Sequence, residues 1–238
     1  MSARTSVTLT LTLGLALAGC KKHEGSSCKA GESTCIDKVQ ALSCKGAKMA
    51  TVKCDGPLGC TTYEGRANCD DSVANAGDAC MNDGEEQVAC TPDKTRALVC
   101  KGGVFERSLE CRGKGGCVVT GRSTVTCDTS VADKGAPCRT QGSLACTSDG
   151  KQMVVCRNGA FDLHRQCRGA RGCQVTDAPS CDETLALEQD PCGMPGQIVC
   201  SVDGKSELIC QSGMFTRSRA CKKGCTVTGK PGRPIECN

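Results

Sequence analysis

The chain has 238 residues and a formal net charge of +4. This small positive excess argues against a nucleic-acid partner, and it also excludes an acidic solvating tail. Cysteine contributes 25 residues, whereas Trp is absent and only one Tyr and three Phe occur, so stability must come from something other than one large apolar core.

The first predicted element is an apolar segment that ends in a cysteine. Arg4 precedes an uncharged stretch from Val7 to Ala18, which is too short to span a bilayer as a helix and has the length of a signal-peptide core. The next residues, Leu17-Ala18-Gly19-Cys20, resemble the lipobox of bacterial lipoproteins. The resemblance implies a signal peptide at 1–19, a diacylglyceryl group on the Cys20 thiol, and a fatty acid such as palmitate on its amino group. An ordinary secretory signal with a chance cysteine is the alternative.

Residues 20–27 are then predicted to form a lipidated tether. Fully extended, the tether from Cys20 to Cys28 reaches about 27 Å, so the first folded unit should sit against the membrane. Lys21 stands where many lipoproteins retained at the inner membrane carry Asp, which favours the outer membrane, facing either the periplasm or the surface.

The other 24 cysteines divide into four sets of six, which indicates four tandem modules. Their boundaries are 28–69, 80–127, 138–181 and 192–237. The first module is the most divergent and carries Met49 where the others carry Phe105, Phe161 and Phe215. We interpret these three aromatic rings as core plugs, which leaves Tyr63 as the one uncommitted aromatic side chain.

The cysteines are predicted to form disulfides. An exported chain meets an oxidising compartment, and no C-x-x-C motif supports a zinc site. Six cysteines close three disulfides within each module, and the odd cysteine is the one that the lipobox claims. Fifteen connectivities per module are open, and a bond between the fifth and sixth cysteines is favoured.

Turn signals in the third module predict a short antiparallel meander. Asp149-Gly150 and Asn158-Gly159 separate strands at Leu144–Ser148, Lys151–Cys156 and Ala160–Cys167, and a fourth strand is predicted at Cys173–Thr176. This register places Cys146 opposite Met153 and Cys156 opposite Phe161. The second and third cysteines therefore lie on opposite faces and cannot bond to each other.

Ten residues always separate one module from the next, at Asp70–Ala79, Asp128–Pro137 and Asp182–Pro191. Constant length suggests that these linkers pack on a neighbouring module, through the pairs Val73-Ala74, Val131-Ala132, and Leu185 with Leu187. The predicted fold is thus small, disulfide-rich and mostly β: four six-cysteine modules, each a short meander, arranged as an elongated rod.

The predicted function is non-enzymatic and needs no cofactor or metal. No G-x-S-x-G or phosphate-binding glycine loop occurs, and His164 has no counterpart in the other modules, which predicts a solvent-facing strand residue. The recurrent feature is a basic loop between the fourth and fifth cysteines of modules 2 to 4. The candidate partner-binding residues there are Arg112, Lys114, Arg168, Arg171, Lys222 and Lys223.

These loops favour a membrane-anchored lipoprotein with a binding or structural role, and the predicted partner is a protein or an anionic envelope glycan. The alternative is a multi-headed serine protease inhibitor that uses the same basic loops as substrate mimics. A spacer without any ligand is a third reading. The whole pattern resembles the cysteine-rich repeat lipoproteins of myxobacteria, which implies localisation at the envelope and adds little on function.

Overall fold

The computed structural model describes residues 22–81, 87–122, 124–230 and 233–238. All regular secondary structure in these residues is β. None of them belongs to a helix long and apolar enough to cross a membrane.

Twenty-one strands repeat one arrangement four times. Module 1 has β1 (Ser33–Cys35), β2 (Gln40–Lys45), β3 (Lys48–Lys53), β4 (Cys60–Tyr63) and β5 (Arg66–Cys69). Module 2 has β6 (Val88–Cys90), β7 (Arg96–Lys101), β8 (Val104–Glu110), β9 (Cys117–Gly121) and β10 (Thr124–Cys127). Module 3 has β11 (Leu144–Cys146), β12 (Gln152–Arg157), β13 (Ala160–Gln166), β14 (Cys173–Val175) and β15 (Pro179–Cys181). The linker before module 4 contains β16 (Leu185–Ala186), and module 4 has β17 (Ile198–Ser201), β18 (Ser206–Gln211), β19 (Met214–Ala220), β20 (Cys225–Lys230) and β21 (Arg233–Cys237).

Each module is an antiparallel three-stranded meander followed by a two-stranded hairpin. In module 3 the predicted register is confirmed, because Cys146 lies opposite Met153 and Cys156 lies opposite Phe161. The first strand ends at Cys146, two residues earlier than predicted. Beyond it the Thr147 hydroxyl accepts a hydrogen bond from the Gln152 amide at 3.0 Å and tightens the turn.

The second turn uses residues that tolerate a left-handed backbone. Asn158 and Gly159 have φ angles of 51° and 83°, as the predicted hairpin turn requires. One residue of β13 is a β-bulge, since Met153 pairs with Arg165 and Val154 with Leu163. His164 is that bulge residue, half-buried rather than fully solvent-facing as predicted, and burial lowers its pKa, with nearby Arg165 acting in the same direction.

The twelve disulfides repeat one connectivity in all four modules. The first cysteine bonds to the third, in Cys28–Cys44, Cys80–Cys100, Cys138–Cys156 and Cys192–Cys210. The second bonds to the fifth, in Cys35–Cys60, Cys90–Cys117, Cys146–Cys173 and Cys200–Cys225. The fourth bonds to the sixth, in Cys54–Cys69, Cys111–Cys127, Cys167–Cys181 and Cys221–Cys237.

The favoured bond between the fifth and sixth cysteines is therefore wrong. Cys173 and Cys181 do lie opposite each other across the β14–β15 hairpin. Side chains of opposed residues project from the same face, and here that face packs on the meander, where Cys146 and Cys167 receive the two sulfurs. The disulfides thus join the hairpin to the meander instead of closing the hairpin on itself.

The meander has a small core on each face. On one face the ring of Phe161 packs with Val154, Cys138 and Cys156, and it is buried to 1% exposure. Phe105 and Phe215 are equally buried, so the predicted role of the three rings as core plugs is confirmed. Each core is only a few side chains wide, which explains why three disulfides accompany it.

The linkers form an extra strand of the module that follows them. Val131 pairs in parallel with Cys146, Val73 pairs with Cys90, and β16 pairs with β17 in the same way. The predicted contact through Leu187 is wrong, because Leu187 is 46% exposed and Ala186 is the buried residue. Ala74, Ala132 and Ala186 occupy the same place in successive modules, where each enters the core beside the aromatic ring.

The segment before module 1 folds in the same manner. The Gly25 amide donates to the Met49 carbonyl at 2.8 Å, and the Met49 amide donates to the Ser26 carbonyl at 2.8 Å. The Gly135 amide bonds to the Phe161 carbonyl in the corresponding way at 2.7 Å. Residues 25–28 are thus part of module 1, although 25–27 were predicted to belong to the tether.

Candidate interaction surface of the basic loops

An aspartate that follows the sixth cysteine holds each loop between the fourth and fifth cysteines in modules 1 to 3. In module 3, one carboxylate oxygen of Asp182 accepts from the Arg171 amide at 3.2 Å, and the other accepts from the Thr184 amide at 3.1 Å. Burial raises the pKa of Asp182, but the hydrogen bonds from Thr184 and Arg171 outweigh burial and leave the pKa lowered. The carboxylate therefore joins the basic loop to the linker.

Asp70 and Asp128 repeat this clamp. Asp70 accepts from the amides of Leu58 and Ser72, and Asp128 accepts from the amides of Gly115 and Ser130. Module 4 has Asn238 at this position. Its loop between the fourth and fifth cysteines is also two residues shorter, so the aspartate clamp is found in modules 1 to 3.

Arg112 is engaged by the next linker. Its guanidinium donates to Asp133 at 2.7 Å, and Ser148 of module 3 also donates to Asp133, through its amide at 3.0 Å. The hydrogen bonds from Ser148 and then Arg112 lower the pKa of Asp133. Arg112 thus connects module 2 to module 3.

Arg168 plays the same part between modules 3 and 4. Its Nε and Nη2 atoms donate to the two oxygens of Asp190 at 2.6 and 3.1 Å, a bidentate pair that raises the pKa of Arg168. Between modules 1 and 2 the corresponding pair is Lys53 with Asp78 at 2.9 Å. Sequence reasoning missed Lys53 because it precedes the fourth cysteine, whereas Arg112 and Arg168 follow it.

The remaining four candidates are exposed. Arg171 keeps 74% of its side-chain area accessible and has one long contact with Asp182 at 3.4 Å. Lys114, Lys222 and Lys223 are exposed, and no ion pair is recorded for them within the described residues. Arg112 is exposed as well, with 46% of its side-chain area accessible, but its guanidinium is paired with Asp133, so the charges of these four side chains are the least engaged.

A shallow depression of about 630 Å³ adjoins the module 3 loop. Arg168, Arg171 and Lys151 line it, and Val202 of module 4 closes one side. Asp149 also lines it, and Arg168 is already paired with Asp190, so the charges of Arg171 and Lys151 are the ones left to meet a carboxylate or phosphate group.

Two buried acids near the start of the linkers were also missed. Asp71 accepts from the Met81 amide at 3.1 Å and from the side chain of Gln87, and burial raises its pKa to about 6. Glu183 pairs with Arg165 at 3.1 Å at the equivalent place. The sequence does not show that a linker carboxylate is buried, because its burial depends on the module that packs over it.

The predicted lipidation site, Cys20, lies outside the described residues. Within those residues, no group of three or more His, Cys, Asp and Glu side chains is arranged to hold a metal ion. No family model, no curated protein and no solved structure matches this chain.

Proposed function

We propose that this protein is an envelope lipoprotein, anchored through acylated Cys20 at the outer membrane, that binds anionic groups of an envelope glycan through its basic loops. The observation that supports this most directly is the division of the basic residues. Arg112 and Arg168 form ion pairs between modules, whereas Lys114, Lys222 and Lys223 form none among the described residues and Arg171 has one long contact with Asp182. The twelve disulfides are in keeping with an oxidising compartment outside the cytoplasm.

The anchor is tested by the mass of the mature protein. We expect an N-terminal peptide that begins at Cys20 and carries a thioether-linked diacylglyceryl group. The Cys20→Ser variant should lose both the lipid and the membrane fraction. An unmodified N-terminus that still starts before Cys20 would overturn the anchor.

Glycan binding is tested with the oxidised chain from Lys21 onward on immobilised polygalacturonate, an acidic polysaccharide. We expect retention that falls steeply between about 50 and 200 mM salt, and that the variant Lys114→Ala, Arg171→Ala, Lys222→Ala, Lys223→Ala largely abolishes. The matched control, Lys48→Ala, Lys101→Ala, Arg107→Ala, Arg157→Ala, removes the same charge from exposed strand positions. Equal loss in both variants would reduce the proposal to nonspecific charge attraction.

The protease-inhibitor alternative receives less support. The Gly172 amide bonds to the Gly169 carbonyl at 3.0 Å, so the module 3 loop is a closed turn, whereas a substrate mimic must present extended backbone. Nanomolar inhibition of trypsin with slow cleavage after Arg171 would reverse this ranking. Absence of any retention on acidic polymers would favour the spacer role.

A further inference from the structure

Module 1 carries apolar side chains at four positions where the other modules are polar or carry Gly. We call Ile36, Val39, Leu58 and Tyr63 the module 1 patch. The residues at the same positions of module 2 are Thr91, Thr95, Gly115 and Thr120. Those of module 3 are Thr147, Lys151, Arg171 and Thr176, and those of module 4 are Ser201, Lys205 and Thr228, with no counterpart of Leu58.

Backbone hydrogen bonds confirm that these positions correspond. The Val39 carbonyl accepts from the Cys54 amide at 2.7 Å, as the Lys151 carbonyl accepts from the Cys167 amide at 2.8 Å. The Leu58 amide donates to Asp70, just as the Arg171 amide donates to Asp182. The side chains at these corresponding positions therefore differ in chemistry, although the turn between the first two strands is one residue shorter in module 1 than in the other modules.

The four side chains of the module 1 patch are open to solvent. Ile36 and Val39 are each 51% exposed, Leu58 is 57% exposed and Tyr63 is 68% exposed. The Cys60 amide bonds to the Lys38 carbonyl at 2.7 Å, which brings the turn that carries Ile36 and Val39 beside the loop that carries Leu58. Exposed apolar side chains gathered in this way mark a contact surface.

The start of the described chain lies at this patch. Lys22 and Ile36 line the same depression of about 450 Å³, together with Gly65, which is two residues from Tyr63. Lys22 also pairs with Glu32 on its rim. Since only Lys21 separates Lys22 from Cys20, a lipid on Cys20 would be within about 10 Å of this edge of module 1.

Hydrogen bonds already order the chain from His23 onward. The His23 amide bonds to the Ser26 hydroxyl at 3.1 Å, as the Asn75 amide bonds to Asp78 at 2.9 Å in the first linker. If His23 is aligned with Asn75, the residues Cys20-Lys21-Lys22 align with Ser72-Val73-Ala74 of the linker before module 2. A lipid on Cys20 would therefore be attached three residues before His23, whose amide is already hydrogen-bonded at the start of module 1.

We propose that the module 1 patch docks onto the lipid bilayer, with Tyr63 at the interface between headgroups and acyl chains. The inference rests on the proposed acylation of Cys20, which holds the patch at the bilayer at high effective concentration. Tyr is favoured at this depth because its ring is apolar and its hydroxyl stays hydrated.

The sequence supplies the probe for a direct test, because Tyr63 is the one tyrosine and Trp is absent. The acylated full chain is placed in vesicles of phosphatidylethanolamine and phosphatidylglycerol, with or without bromine on the upper acyl chain. We expect bromine to lower Tyr63 emission about twofold, since the ring lies at interfacial depth. Equal Tyr63 emission from both kinds of vesicle would overturn docking. The acylation of Cys20 is tested separately, by the mass of the N-terminal peptide.

Two variants keep Tyr63 and separate docking from anchoring. Ile36→Thr, Val39→Thr, Leu58→Gly introduces the residues that module 2 already carries, so the fold is kept and the bromine effect should largely disappear. Met194→Thr, Val202→Ser, Met214→Ala removes exposed apolar groups of module 4 and should change nothing.

Two further measurements complete the test. The Cys20→Ser chain without lipid should show the same quenching once vesicles are in large excess, and its absence there would contradict the inference. A Tyr63 that is shielded from aqueous iodide but unaffected by brominated lipid would also contradict it, since a protein would then cover the patch.

Discussion

The carboxyl group of Asp182 packs against the Cα of Gly169 so closely that a Cβ on Gly169 would overlap its carboxyl carbon. Gly56 meets Asp70 and Gly113 meets Asp128 in the same way. Module 4 carries Lys223 in its shorter loop and Asn238 after its last cysteine, so it lacks both members of the pair. The contact therefore occurs in modules 1 to 3, where the loop is fixed to the linker that follows it.

The first prediction concerns this contact. Gly169→Ala should destabilise module 3 by about 2 kcal/mol, because the added methyl group displaces the buried carboxylate of Asp182, which accepts four hydrogen bonds. Hydrogen exchange of residues 168–184 measures the effect. Gly121→Ala is the control, since a Cβ there meets only ordinary contacts. An exchange pattern unchanged by Gly169→Ala would mean that the clamp is not structural.

The second prediction concerns pH. Burial raises the pKa of Asp71 to about 6, with Asp70 adding to the rise, while the Met81 amide and Lys45 oppose it. The folded state thus binds a proton that the unfolded chain has released between about pH 4 and 6. The stability present below pH 4 is lost as the pH rises through 6, by up to about 3 kcal/mol.

Asp71→Asn should abolish this pH dependence and make the contact between modules 1 and 2 more stable at pH 7. Thermal unfolding at pH 4.5 and 7.5 tests it. Asp93→Asn is the control, because hydrogen bonds from Thr91 and then Thr95 lower the pKa of Asp93 to about 2, so its contribution is lost only below about pH 4 and the difference between pH 4.5 and 7.5 should stay as in the wild type. If the unfolding temperatures of wild type and Asp71→Asn change equally between pH 4.5 and 7.5, the carboxylate of Asp71 is not the source of the pH dependence.

The third prediction distinguishes a basic residue that joins two modules, Arg168, from one that is only exposed, Lys222. Arg168→Ala should weaken the joint between modules 3 and 4 by about 1 kcal/mol, since Asp190 then loses a bidentate partner. The Leu187 amide, which donates to Asp190 at 2.8 Å, should exchange faster. Lys222→Ala should leave the same amide unchanged. Faster exchange in both variants would contradict the assignment.

The sequence predicts the meander because its signals are local. Turn dipeptides and alternation fix the register, and the register is enough to exclude a bond between Cys146 and Cys156. A length difference is informative too: module 1 has one residue fewer between its third and fourth cysteines. The structure assigns that residue to the bulge at Ser108, His164 and Ser218, which module 1 lacks.

What the sequence could not supply is how the pieces meet. The fifth and sixth cysteines look like partners along the chain, yet their sulfurs point at the meander. Arg168 looks like a free loop charge until Asp190 of the linker is placed beside it. Such contacts depend on how separate strands and linkers pack together, and the spacing of residues along the chain does not predict that packing.

The central claim is that one unit is repeated four times, each closed by the same three disulfides, with Cys20 outside that set. Mass mapping of non-reduced peptides from the membrane-extracted protein tests it most directly. The account predicts twelve bonds in the order first to third, second to fifth and fourth to sixth, and a lipid on Cys20. Cys173 linked to Cys181, or Cys20 joined to another cysteine, would contradict it.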